Sequence, residues 1–551
     1  MTLAAAAVGG RERFRPGTLL VAGLVIATLT EALAGTVLSL GRAGIIGDTH
    51  ATPDEFAWLD VGYTAARMTG FIAAPWLMSR IPPVSLTLAA TLVMGVACAM
   101  AAMTARLDLL IALRIMQGLS GGVLLVAGQT VLFLAYPRRT QPILQALFAM
   151  GSVVAPATVA PALQGYLLDG RSWTWIFFAI LPLALAASGL MLLAEAPKLA
   201  EIGRRRADWM GLAVLSTALF PLTYVLSQGS RWDWFDEHRI VWLSAIGAAS
   251  LIAFLGREAV VGDQGLIGFA AFRSHDFCFA FIVSFVAGAA LFGSAYLIPS
   301  FAVSVLGMTL SEAGRLLLPS GALFTGALLF AAFLMQVRRT SPIVTVPFGI
   351  LTIMLAMWML SGSTGESGAD DMMAAILLRG LGLGLLFLSI TLIAFGNLGS
   401  RDLASGIALF NTGRQLGGLA GIAGLQTLID HHVAGNAAVL GAHVAGGRAV
   451  VGERLAATTA LLVDRGMEPM AAGRAATVFL SKAVAGQSAV IAFDTAFTTV
   501  ALLFVAAAPV IVIVKIALSR HAKRRDARSG SSPADSRASK MRAAAPAAAA
   551  E

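Results

Sequence analysis

Fourteen long apolar runs constrain this chain more than anything else in it, since a helix that crosses a bilayer needs roughly 20 predominantly apolar residues. The runs fall near 18–40, 57–78, 83–104, 108–135, 141–165, 173–195, 210–228, 240–256, 277–301, 312–335, 342–361, 372–397, 404–428 and 490–517. Only 13% of the 551 residues are charged, against about 25% in soluble domains, so little material is left for a large water-exposed domain. The chain reads as an all-α polytopic membrane protein. Residues 1–15 are too short and too polar ahead of the first run to make a cleaved signal peptide. Cys98 and Cys278 both fall inside apolar stretches, which rules out a disulfide framework and most thiolate metal sites.

The formal net charge of +9 invites a nucleic-acid partner, but its placement argues against one. With the N-terminus inside, twenty-four of the 39 Lys and Arg fall on the cytoplasmic side, ten on the other side and five within or at the ends of runs. That is the positive-inside asymmetry of a multi-pass protein with an even number of spans and both termini in the cytoplasm. The expected partner is the lipid bilayer, with no nucleic acid. The connections divide the chain into a cytoplasmic N-terminus 1–17, a six-helix bundle 18–195, a cytoplasmic linker 196–209, a helix pair 210–256 and a second six-helix bundle 277–517. The extracytoplasmic segment 431–487 has enough amphipathic Ala and Leu for helices, and the basic tail 518–551 reads as disordered chain near anionic lipid. Two six-helix bundles plus two extra central helices suggest a transporter built from parallel repeats around a central site.

Three motifs carry a family resemblance. The fourth run reads LLIALRIMQGLSGG, with Arg114, Gln117, Gly118 and Gly122. The fifth leads into the sixth as MGSVVAPATVAPALQGYLLDGRSWTWIFFAILP, with Gly151, Pro156, Pro161, Gly165, Trp173, Trp175 and Phe177. The thirteenth contains ASGIALFNTGRQLGGLAGIA, with Asn411, Arg414, Gln415, Gly417 and Gly418. Over nearly the whole chain these resemble the fourteen-helix drug:proton antiporter group of the major facilitator superfamily, the EmrB/QacA type. The resemblance implies the major facilitator fold, a bacterial cytoplasmic (inner) membrane, and exchange of protons for a small-molecule substrate, an amphipathic or aromatic compound. It also suggests a periplasmic adaptor protein as partner for segment 431–487. The chain departs from the group's pattern in three places. Ser79 stands where the loop between the second and third spans carries Asp, Glu31 lies about one turn before the group's Asp in the first span, and Ala160 and Gln164 replace glycines of the fifth. These departures mark an outlying member.

Glu31 is the one acidic residue deep inside a run, while Asp60, Glu312 and Asp494 lie near outer ends. An acid at mid-membrane costs roughly 2.5–3.5 kcal/mol on insertion scales, so such residues usually face cavities. Burial also disfavours the charged form of a carboxyl, which suits it to proton exchange. Glu31 is therefore the candidate proton site, with a permanently charged partner of an arginine as the alternative. Arg67, near Tyr63 in the neighbouring run, is the candidate partner; contact with an anionic substrate is its alternative role. For Arg114 the resemblance implies help in proton transfer, against a structural hydrogen-bonded role. Asn411, Arg414 and Gln415 present polar groups to the interior and join Tyr63 and Gln117 as candidates for the substrate cavity, against a structural polar network. Gly151, Pro156, Pro161 and Gly165 predict a bent, closely packed fifth helix, either a gate or a packing kink. Arg315 and Arg379 lie near run ends and are expected to snorkel.

No phosphate loop, nucleophile elbow, paired catalytic carboxylates or His–Cys metal spacing occurs in a water-facing segment. Neither an enzyme nor an ATP-driven pump is expected, and no cofactor or metal is called for. The expected function is secondary active transport driven by a proton gradient, in the form of efflux of a drug or toxic metabolite. The alternatives are a proton symporter taking up an organic anion, favoured by Arg67, Arg114 and Arg414 against one acid, and a transport-dead sensor or scaffold.

Overall fold

A computed structural model describes residues 17–160, 163, 172–195, 208–262, 265–266, 271–272, 274–444 and 449–529. Among these the regular elements are helices: α1 (Thr18–Thr49), α2 (Pro53–Met78), α3 (Pro83–Ala102), α4 (Leu107–Ala135), α5 (Gln141–Ala149), α6 (Thr174–Phe178), α7 (Ile180–Leu193), α8 (Trp209–Gln228), α9 (His238–Val261), α10 (His275–Ser304), α11 (Leu310–Leu316), α12 (Leu318–Val337), α13 (Thr345–Leu360), α14 (Ala369–Phe395), α15 (Ser400–His443), α16 (Ala449–Asp464) and α17 (Pro469–Ser529). Side-chain caps start several of them. Thr52 and Thr309 close capping boxes with Glu55 and Glu312, and the Asp208 carboxylate accepts the Gly211 N–H at 2.8 Å to begin α8.

Among the described residues, twelve helical stretches are long and apolar enough to cross a membrane. α2, of 26 residues, and α15, of 44, are not among them although their length suffices. Their apolar character is diluted by Tyr63, Thr64 and Arg67 in one and Asn411, Arg414 and Gln415 in the other. With these two, the described helices are consistent with the fourteen runs of the sequence. One stretch differs from expectation. α17 continues to Ser529, so residues 518–529, read above as disordered tail, are helical; Ala, Lys and Arg, all good helix formers, let the preceding helix run on. Residues 530–551, most of the linker 196–209, and Pro161 and Gly165 lie outside the described residues.

The two six-helix sets have the same neighbours. In the first set α2 and α3 pack on α4, α1 and α3 on α7, and α1 on the wide π-helical stretch Met150–Val159 that continues α5. In the second set α12 and α13 pack on α14, α10 and α13 on α17, and α10 on α15. Each of these five contacts of the first set thus recurs in the second. The sets meet where α2 and α4 touch α15, and where α5 and its π stretch touch α12. The extra helices α8 and α9 pack on each other, and α8 packs on α2. Its connector touches both sets: Arg231 pairs with Asp54 at 2.7 Å, while Ser230 donates to Asp430 at 2.7 Å and Trp234 Nε1 donates to Thr427 at 2.9 Å.

Glycines set the closest approaches. A Cβ on Gly118 would run into the Tyr63 carbonyl, and one on Gly122 into the Arg67 carbonyl, so α4 lies against the backbone of α2 at these two residues. The second set repeats the device, with Gly380 facing the Ser320 carbonyl and Gly384 the Phe324 carbonyl. Gly288 of α10 likewise lies against the carbonyl of Arg414. Gly118→Ala is expected to cost about 1–3 kcal/mol by overpacking and to lower the thermal unfolding midpoint of the detergent-purified protein. Gly424→Ala, whose Cβ would meet open space, leaves the midpoint unchanged.

Candidate functional site

The close packing of α4 on α2 brings Tyr63 and Arg67 against α1, where Glu31 is completely buried at 0% exposure. Arg67 Nε lies 2.8 Å from Glu31 Oε1, at ion-pair distance though its N–H is not aimed along that line. The Tyr63 hydroxyl donates to the same Oε1 at 3.0 Å. Glu31 Oε2 is buried and has no hydrogen-bond partner among the described residues. One carboxylate oxygen thus holds both the Tyr63 hydrogen bond and the ion pair, while the other is bare among the described residues.

Arg114 reaches this pair through Tyr63. Its guanidinium lies 4.1 Å from the centre of the Tyr63 ring, a cation–π contact. Its Nη1 donates to the Ala34 carbonyl at 2.8 Å and to Gln117 Oε1 at 3.0 Å, and its Nε to the Leu59 carbonyl at 3.4 Å. Gln117 Nε2 donates onward to the Ala97 carbonyl at 3.2 Å. These bonds tie α1, α2 and α3 to α4 and fix the ring whose hydroxyl touches Glu31.

From the other six-helix set, α15 supplies Asn411, Arg414 and Gln415. Gln415 Oε1 stands 3.5 Å from Arg67 Nη1, the longest of these contacts. Arg414 donates to Asn411 Oδ1 at 2.6 Å and lies 4.9 Å from the centre of the Phe387 ring. Asn411 Nδ2 donates to Gln129 Oε1 of α4 at 3.3 Å, Gln129 Nε2 to Gln145 Oε1 at 3.1 Å, and Gln145 Nε2 to Gln141 Oε1 at 3.3 Å. A string of neutral amides therefore joins the two sets, whereas the ion pair lies wholly within the first. Neutral hydrogen bonds contribute about 0.5–1.5 kcal/mol each, while removing one partner of a buried ion pair costs about 3–5 kcal/mol. The contact between the sets is much easier to part than the pair beside it.

All the described candidates of the sequence but two converge here. Gly151 and Pro156 stand on the π stretch instead. A Cβ on Gly151 would meet Thr28 and the Val25 carbonyl of α1, and on the opposite side Thr158 faces Gly321 of α12. The bend expected from Pro156 takes the form of widened turns, a way a helix absorbs a missing donor. Arg379 is a correction. It does not snorkel but is wholly buried at 0% exposure, donating to Ser294 Oγ at 2.7 Å and reaching the Leu291 carbonyl at 3.5 Å. α14 begins at Ala369, which puts Arg379 roughly 15 Å along the helix, too deep for its head to reach the interface. Gln129, Gln141 and Gln145 were not among the sequence candidates. Their signal is present in an amide isolated in the apolar run LLVAGQTVLFLA and a pair four residues apart at the start of the next run.

A membrane-embedded fold of two six-helix repeats with a polar site between them defines a transporter. The sequence profile of the Major Facilitator Superfamily matches residues 20–422, and the chain belongs to that family. It is similar to the multidrug export protein EmrB of Escherichia coli, 27% identical over 408 residues that make up 73% of this chain and 78% of that one. It is also similar to the colistin resistance protein EmrB of Acinetobacter baumannii, 25% identical over 419 residues, 75% of this chain and 79% of that one. The tetracenomycin C resistance and export protein of Streptomyces glaucescens is 26% identical over 428 residues, 76% of this chain and 77% of that one.

Arg67→Ala strands the Glu31 carboxylate and is expected to destabilise the protein by about 3–5 kcal/mol. Adding Glu31→Gln recovers most of that loss. Unfolding of the two single variants and the double variant in detergent measures the coupling; additive effects would show that the two side chains do not interact.

Proposed function

We propose that the chain is a secondary active exporter of small amphipathic compounds in a bacterial inner membrane, driven by exchange with protons at Glu31. Its membership of the superfamily and the export and resistance named for its relatives support the direction. The observation that carries the proton assignment is the bare Oε2 of a buried carboxylate whose other oxygen holds Arg67. A proton arriving on Oε2 neutralises Glu31 and removes the Coulomb hold on Arg67, leaving the Tyr63 hydroxyl in place. Arg67 then shifts its weight to Gln415 of the other repeat and to the space between the repeats. Loss of the proton draws Arg67 back. The charge state of one side chain thereby changes the contact between the two repeats.

Such a switch drives exchange when proton and substrate bind the two conformations with different affinities. The positive-inside asymmetry puts the amide string near the cytoplasmic end and the connector of α8 and α9 outside, so the string parts when the site opens inward. The motion needed is a rocking of the two repeats at their midplane site, as in other transporters of parallel repeats.

The surplus of arginine over acid near the site favours a second reading, symport of an organic anion with protons. The two readings predict opposite pH gradients in proteoliposomes: accumulation into inside-acid vesicles for exchange, and into outside-acid vesicles for symport. Under the exchange reading Glu31→Gln abolishes gradient-driven accumulation but retains substrate-for-substrate exchange at zero gradient. Full gradient-driven transport by that variant would remove Glu31 from the mechanism.

A further inference from the structure

Arg414 is a cation inside the membrane without a carboxylate in ion-pair contact among the described residues; its partners are the Asn411 amide and the Phe387 ring. Such a charge is costly unless something compensates it. Glu31 does not, since its bonded oxygen is already shared between Arg67 and Tyr63. Arg67 itself is next door, because Gln415, the chain neighbour of Arg414, stands 3.5 Å from its Nη1. Arg414 and Arg67 are within electrostatic range of each other and of Glu31. Glu31, Arg67 and Arg414 together thus carry one surplus positive charge.

The wider surroundings do not remove it. Asp60, exposed on α2, acts on Arg114, and Arg379 is bonded only to neutral groups among the described residues. Arg67 and Arg414 are both partly exposed, while Asn411, Thr412, Gly413, Gly417 and Gly418 around them on α15 are buried. The two guanidiniums are therefore the groups that the site offers to a ligand, while Phe387, over whose ring Arg414 lies, is buried in the core.

We propose that Arg414 makes this site selective by charge, so that it takes amphipathic compounds bearing an acidic group and rejects lipophilic cations. The proposal rests on reading the site as the substrate path and names the class of compound that enters it. A carboxylate, sulfonate or phenolate lies against the fork of Arg414 in place of the missing protein acid. A cation of the same size meets two guanidiniums in a medium of low dielectric constant. On this cluster an acid and a proton on Glu31 favour each other, so exchange requires that they load in different conformations.

Tetraphenylborate and tetraphenylphosphonium have nearly the same size and opposite charge. Their equilibrium binding to the full chain in nanodiscs, corrected with empty nanodiscs and without any gradient, tests the proposal. The anion is expected to bind at least about tenfold more tightly. Arg414→Gln reduces that preference by about tenfold, Arg414→Lys keeps it, and Glu31→Gln, which adds one unit of positive charge, raises the affinity for the anion. Equal binding, tighter binding of the cation, or a preference untouched by Arg414→Gln would overturn the assignment. If Arg414→Gln does not fold, Glu31→Gln decides alone, and no gain in anion affinity overturns it. Failure of proton-driven transport leaves this preference standing, whereas a charge-blind site with intact proton-driven transport removes only the selectivity.

Discussion

A carboxylate and a guanidinium 2.8 Å apart inside a membrane protein impose conditions on everything around them. Either charge alone is costly in hydrocarbon, and Glu31 and Arg67 are held together by packing that does not depend on either. The structure meets that condition with neutral parts. Gly118 and Gly122 bring α4 onto the backbone of α2 at Tyr63 and Arg67, and Arg114 pins the Tyr63 ring from beneath. The pair is then fixed on the N-terminal repeat, with a single arginine nitrogen extended toward the C-terminal one.

The two repeats share a plan but not a charge distribution. Gly380 and Gly384 stand in the second repeat where Gly118 and Gly122 stand in the first, and they face Ser320 and Phe324 where the first repeat has Tyr63 and Arg67. The fourth helix of each repeat also carries a buried arginine that bonds back to the first helix, Arg114 to Ala34 and Arg379 to Ser294. The common framework is thus glycine contact plus a buried arginine, and the ion pair is an addition to one copy. In the exchange proposed for Glu31, such an asymmetric site would let a charge change on one side alter the fit to the other without disturbing either bundle. The neutral amides from Asn411 through Gln129 to Gln141 suit that role, since they part at little cost.

The helical layout was legible in the sequence because a bilayer fixes the length of each span, and the runs report that length directly. The nearness of Glu31 to Arg67 was legible because consecutive helices pack as neighbours. Arg379 was not, because apolarity locates the ends of a run only to within a few residues, and a small shift separates a snorkelling arginine from a buried one. The glutamine string escaped notice for a related reason: single amides in apolar runs look like defects until the partner helix is known. Residues 518–529 are helical rather than disordered because low apolarity does not distinguish disorder from a polar helix, and their helix propensity continues a helix already under way. In each case the missing information was which helix faces which.

Exchange at Glu31 requires that its carboxylate take up a proton while the protein remains folded. Infrared difference spectroscopy of the purified protein through an acid titration reads this directly, because a protonated carboxyl has a C=O band that an ionised one lacks. The account predicts such a band on acidification in the native chain, absent in Glu31→Gln. A spectrum identical in the two proteins, with Glu31 ionised at every pH at which the fold survives, would show a fixed structural ion pair and contradict it.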